Sequence, residues 1–112
     1  GSIVHISSVS AHTGYKGLSM YAASKGAMES FSRTVAREYG SRGIRSNCIV
    51  PGFMETGMSK SLSRDQKQRI YNRTSLKSST SLKSVALLVL TLLSDESESI
   101  TGSTMHVDSG TI

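Results

Sequence analysis

The chain has 112 residues, 37% of them hydrophobic and 5% aromatic, with a formal net charge of +5; that is enough for one small domain and too little for two. The basic residues are scattered from Lys16 to Lys83 without a run, which excludes a nucleic-acid-binding arm, and the single Cys48 excludes an intramolecular disulfide framework and suits a reducing, cytoplasmic setting. The longest apolar stretch, Val85 to Leu93, is interrupted by Thr91 and falls far short of the roughly 20 residues that cross a bilayer, so no membrane partner is expected.

In chain order, Ile3 to Ser8 is short and β-branched, and reads as a buried strand that turns polar at its C-terminal end. A loop with Gly14 and Gly17 follows. From Ser19 to Tyr39, apolar residues such as Ala22, Ala23, Ala27, Phe31 and Val35 recur at helical spacing, until Gly40 and Gly43 stop the pattern. Ile44 to Val50 is a second strand, ended by Pro51-Gly52 because proline brings no ladder donor. Glu55 to Lys60 reads as a short helix, and Ser63 as the N-cap of another over Arg64 to Arg73. Leu76 to Ser81 is a polar loop. Leu82 to Leu93 is apolar nearly all round, which predicts a helix buried on more than one side. Thr104 to Val107 forms the last strand.

The order β-α-β-α-α-β predicts an α/β fold with a parallel sheet, and residues 1–112 show no internal domain boundary. Ligands of such sheets bind beyond the C-terminal strand ends. Ser7-Ser8 and Pro51-Gly52 fall on that edge.

Tyr21 and Lys25 are four residues apart in the first long helix, so they are neighbours on one face. A positive charge within about 4–6 Å favours a phenolate, which makes a tyrosine usable in proton transfer near neutrality. The pair alone is equally an ordinary amphipathic helix. Ser8 adds weight, because a strand end and the first turn of the next helix converge at one sheet edge. A serine hydroxyl there either stabilises charge developing on a carbonyl oxygen or simply closes a turn. His5, His12 and His106 are too dispersed in sequence for a shared metal set; His5 reads as a packed strand residue and Cys48 as an inert buried one. Met54 and Met58 line a substrate mouth or fill a gap.

Taken together, Ile3-Val-His-Ile-Ser-Ser8, Tyr21-Ala-Ala-Ser-Lys25-Gly-Ala27, Arg45-Ser-Asn47-Cys-Ile-Val-Pro51-Gly52, Ile100-Thr-Gly102 and Val107-Asp108 resemble a classical short-chain dehydrogenase/reductase. Within the family, Tyr21 to Gly43 and Pro51 to Met58 are most similar to 3-oxoacyl-acyl-carrier-protein reductases. The resemblance covers the whole chain but only the C-terminal, catalytic half of a Rossmann-type doubly wound sheet. It implies NADP or NAD as cofactor, with NADPH favoured, and a small-molecule or carrier-bound carbonyl substrate. By resemblance, Tyr21 is the catalytic acid, Ser8 orients the substrate carbonyl, and Lys25 assists the tyrosine and holds the nicotinamide ribose. Pro51, Gly52 and Met54 meet the nicotinamide, Thr56 lies near its carboxamide and phosphates, and Arg42 matches a basic residue that docks an acidic carrier. Glycine at position 52 would let a flat ring approach the backbone.

The family's Gly-rich phosphate loop has no counterpart here, and Ser109 replaces a common glycine. With no initiator Met at Gly1, the stretch is expected to begin inside a longer chain. By itself it is expected to be inactive and to associate, since its first strand becomes a sheet edge, and the family forms homodimers or homotetramers. The alternative is a non-catalytic assembly or interaction module derived from this fold.

Overall fold

The computed structural model describes residues 1–112, the side chain of Met58 excepted. Strands β1 (Ser2–Ile6), β2 (Arg45–Pro51) and β3 (Thr104–Val107) form one sheet in the order β1-β2-β3, and both pairings are parallel. Helices α1 (Ser10–Thr13), α2 (Ser19–Tyr39), α3 (Arg64–Asn72) and α4 (Leu82–Leu93) complete the chain, with single 3-10 turns at Gly40–Arg42, Gly57–Ser59 and Asp95–Ser97.

Strand alternation places the two long helices on opposite faces of the sheet. On one face Ile49 of β2 packs with Val85 and Leu92 of α4, joined by Val4 of β1 and by Met105 and Val107 of β3. On the other, Ser46 and Ser32 of α2 share a buried hydroxyl contact of 2.9 Å, and His5 meets Phe31 edge-on at 5.7 Å. Helices on both faces make the arrangement doubly wound. The predicted fold class holds.

Buried polar groups in β2 fasten the α4 side. Asn47, fully buried, donates to the Ile100 carbonyl at 2.9 Å and accepts from the Ser103 N–H at 3.0 Å. The Arg45 guanidinium reaches the carbonyls of Leu92 and Ser94 at the end of α4 and of Ile100 before β3, helping to satisfy carbonyls that the helix end leaves open.

The structure changes several local expectations. Pro51 belongs to β2, as a last residue whose missing N–H costs the ladder nothing. Residues 10–13, read as loop, form a helical turn ended by Gly14 in the left-handed region, φ 66°. Only a 3-10 turn forms within Glu55 to Lys60. Helix α4 has the predicted bounds, but it buries one stripe, Val85 and Leu92, while Leu82, Leu87, Leu90 and Leu93 are exposed. The sheet covers one side of this helix and nothing in the described chain covers the other. Strand β1 is likewise a half-exposed edge, with Ile3 and Ile6 open to solvent.

Candidate active site

The C-terminal ends of all three strands meet at one edge, where the connecting segments are tied to one another. The Ser7 N–H continues the ladder onto Ile49 O at 2.8 Å, and the Val9 N–H reaches Pro51 O at 3.1 Å. Ser8 lies between them, and its Oγ accepts the Ser10 N–H at 3.1 Å, which opens the α1 turn. Beyond Gly17, α2 begins, and its first two turns present Tyr21 and Lys25. Lys25 Nζ donates to the Ile6 carbonyl at 3.0 Å and stands 5.7 Å from the centroid of the Tyr21 ring. The ammonium is thus anchored between a strand end and the phenol.

Ser8, Tyr21, Gly52, Met54 and Thr56 line one cavity of about 560 Å³. Lys25 and Pro51 are not on its wall: Lys25 is anchored at the end of β1, and Pro51 is buried in the sheet. The Met58 side chain lies outside the described residues. Arg42 is in the 3-10 turn beyond the far end of α2, over the Tyr39 ring at 5.7 Å, about 30 Å from Tyr21 at 1.5 Å rise per residue. A cavity of about 570 Å³ at the opposite sheet edge, among Gly1, Gly43, Arg45, Asp95 and Glu98, contains none of the predicted residues.

Gly52 is held to glycine by packing within the chain itself. A Cβ there would stand 2.6 Å from Thr80 Oγ1 and 2.9 Å from the Asp108 Cα. The missing side chain makes room for the protein's own loops behind the cavity wall. Thr56 opens the 3-10 turn, with Ser59 Oγ accepting its N–H at 3.2 Å and donating to its carbonyl at 2.8 Å.

Further wall residues were not singled out by the sequence, most of them from segments that carried no motif. Tyr15 and Leu18 lie in the loop before α2, Phe53 follows Gly52, and Leu62, Ile70 and Arg73 come from α3 and its flanks. Their only sequence signal is proximity to Ser8, Tyr21 and Gly52. Helix α3 is fastened to this wall by Tyr71, whose hydroxyl donates to Glu55, and by Lys67, 3.5 Å from the same carboxylate. The Tyr71 bond, with Lys67 second, holds the Glu55 carboxyl below its ordinary value, and that bond raises the Tyr71 phenol.

Two histidines that are dispersed in sequence meet in space. His12 and His106 pack edge to face at 5.2 Å, with His12 Nε2 at 2.9 Å from the buried Glu29 carboxylate. They meet because β3 lies beside β2 and brings His106 against α1. No metal-binding group of His, Cys, Asp or Glu exists among the described residues. His5 is packed as expected, and Cys48 is fully buried, its thiol pushed up by burial and then by the nearby Glu29 charge.

A parallel sheet with helices on both faces, and a cavity at the C-terminal ends of its strands, is the arrangement of a Rossmann-type doubly wound fold. The family model described as enoyl-(acyl carrier protein) reductase matches residues 1–111, and the chain belongs to this family, within the short-chain dehydrogenase/reductases. It is 41% identical over 110 residues to the 3-oxoacyl-acyl-carrier-protein reductases FabG of Salmonella typhimurium and Escherichia coli. To the nodulation protein G of Rhizobium meliloti it is 36% identical over the same length. Each match covers 98% of this chain and 45% of the relative. A solved structure of a short chain dehydrogenase/reductase family protein matches with a TM-score of 0.88 at 37% identity, over 98% of this chain and 45% of that one. The chain therefore spans about half the length of the relatives it matches. No helix among the described residues is long and apolar enough to cross a membrane.

Proposed function

We propose that this chain is the catalytic half of an NAD(P)-dependent reductase that converts a 3-oxoacyl group, carried on an acyl carrier protein, to the 3-hydroxyacyl group. The observation that carries the reading is the convergence of Ser8 and Tyr21 on one cavity, with the Lys25 ammonium 5.7 Å from the Tyr21 ring and bonded to the end of β1. In this reading the Ser8 hydroxyl donates to the substrate carbonyl and stabilises charge building on its oxygen. The Tyr21 hydroxyl delivers the proton to that oxygen, and Lys25 supplies a fixed positive charge beside it.

The donor set also fits a nicotinamide nucleotide. Lys25 Nζ spends one donor on Ile6 O and has two more for ribose hydroxyls, while Gly52, Phe53, Met54 and Thr56 line the cavity of Ser8 and Tyr21. Pro51 would help to set that backbone from behind. When bound, the cofactor supplies the hydride; NADPH is the form we expect. The apolar wall of Leu18, Phe53, Leu62 and Ile70 suits an acyl chain.

The same reading includes a reducing, cytoplasmic setting and assembly into a dimer or tetramer that covers the exposed leucines of α4. It also includes docking of the acidic carrier at Arg42. The docking part fails if Arg42→Glu affects a carrier-bound substrate and a small thioester analogue equally. For the chemistry, Tyr21→Phe in the intact protein is expected to remove most turnover and leave cofactor affinity within about twofold, since only the proton donor is lost. Turnover equal to the parent's would refute the assignment.

A further inference from the structure

Behind the cavity lies a buried carboxylate that the chemistry above does not use. Glu29 is 5% exposed and sits on α2 one turn beyond Lys25. Its Oε2 accepts the Ser7 hydroxyl at 2.6 Å, and His12 Nε2 lies 2.9 and 3.1 Å from its two oxygens. The Ser7 oxygen also stands 3.3 Å from the Lys25 carbonyl. A polar group this deep in a small domain is costly unless it is hydrogen-bonded. Here both partners lie on the segment that carries Ser8, one residue before it and four residues after it.

That placement matters because the two halves of the site come from separate elements. Ser8 belongs to the connection after β1, whereas Tyr21 and Lys25 belong to α2. Between them, residues 14–17 form a loop with two glycines at positive φ, Gly14 and Gly17, so chain connectivity alone does not set their distance. Besides the packing of α2 on the sheet, the contacts that tie the two are the Lys25 bond to Ile6 and the Glu29 bonds to Ser7 and His12. His12 is in turn packed against His106 of β3, and His106 Nδ1 is 3.8 Å from Asp108, the residue that backs Gly52.

We propose that Glu29 is a positioning residue: by clamping Ser7 and His12 to α2, it sets Ser8 relative to Tyr21 and Lys25. The proposal rests on the proton-transfer reading above. Misplacing a reacting group by about 1 Å can cost about 100-fold in rate, so the clamp acts on kcat and leaves affinity for the cofactor largely alone.

The test compares Glu29→Ala, Glu29→Gln, Ser7→Ala and Tyr21→Phe in the intact protein, with activity normalised to folded protein by circular dichroism and cofactor titration. Glu29→Ala is expected to lower kcat about 10- to 100-fold with the cofactor dissociation constant within about threefold. Glu29→Gln keeps an oxygen acceptor of the same shape and is expected to restore most of that rate. Combining Ser7→Ala with Glu29→Ala should add little to the second alone, as for groups that act as a unit. Without cofactor, amide exchange at Ala11 and His12, whose N–H groups bond Ser8 O and Val9 O, should quicken in Glu29→Ala and not in Glu29→Gln.

A folded Glu29→Ala with parental kcat overturns the proposal, as does Glu29→Gln no more active than Glu29→Ala. If Glu29→Ala does not fold, Ser7→Ala decides: parental kcat there overturns the clamp. An active Tyr21→Phe would instead show that the underlying reading is wrong.

Discussion

Replacing Gly52 by alanine tests whether the cavity wall is built by packing behind it. The added Cβ would meet Thr80 Oγ1 at 2.6 Å, the Asp108 Cα at 2.9 Å and the Asp108 Cβ at 3.0 Å, where carbon atoms prefer about 3.5–4.0 Å. Relief requires a shift of about 0.5–1 Å, and Asp108 is poorly placed to give way. Its carboxylate accepts the Gly110 N–H at 2.9 Å and the Ile112 N–H at 3.3 Å, and the preceding Val107 O holds the Gly52 N–H at 2.9 Å. Overpacking of this kind costs about 1–3 kcal/mol, and a clash with backbone belongs at the upper end. Thr80→Ala in the same chain removes one of the three contacts, a hydroxyl that has no hydrogen-bond partner, and should recover about 1 kcal/mol. Gly57→Ala is the control: nothing lies within 4 Å of its Cβ position, so its stability should stay within about 0.5 kcal/mol of the parent. Urea unfolding of the intact protein, followed by circular dichroism, gives these differences, and turnover should fall with Gly52→Ala because Phe53 and Met54 move with it. A Gly52→Ala protein as stable as the parent would refute the reasoning.

Asn47→Ala removes two buried hydrogen bonds and strands the Ser103 N–H, while the Ile100 carbonyl keeps the Arg45 guanidinium; at about 1–3 kcal/mol for the stranded group and about 1 kcal/mol for the second bond, urea unfolding should show a loss of about 2–4 kcal/mol. Cys48, fully buried and with its thiol raised, should resist a thiol reagent in the native protein and react on unfolding, so that the labelling rate measures the opening of β2. Glu55 titrates below its ordinary value in the fold, because Tyr71 and then Lys67 favour its charged form. Its contribution is therefore present at neutral pH and fades as acid carries the pH down through the lowered value; the gap in melting temperature between the parent and Tyr71→Phe should narrow as the pH falls below the ordinary glutamate range.

Much of the fold is written in short-range pattern. The bounds of α2 and α4 are those that helical spacing and the Gly40–Gly43 stop predict, and β3 has the predicted bounds as well, because each depends on residues within a few positions. Ser63 caps α3 for the same reason, its Oγ accepting the Gln66 N–H at 3.1 Å. Tyr21 and Lys25 were legible as a pair, since four residues on a helix is one turn. Tertiary structure decided the rest. The α1 turn is too short to have periodicity and is fixed by Ser8 Oγ and by the Val9 bond to Pro51. The one-sided burial of α4 follows from which elements are present to cover it, a property that its own composition does not contain. The need for glycine at position 52 comes from Thr80 and Asp108, and the burial of Glu29 comes from Ser7 and His12. A glutamate in a helical pattern reads as a solvated face, and only the packing of α2 against the end of β1 turns it into a buried anchor, because hydrogen-bond partners distant in sequence exist only once the chain has folded.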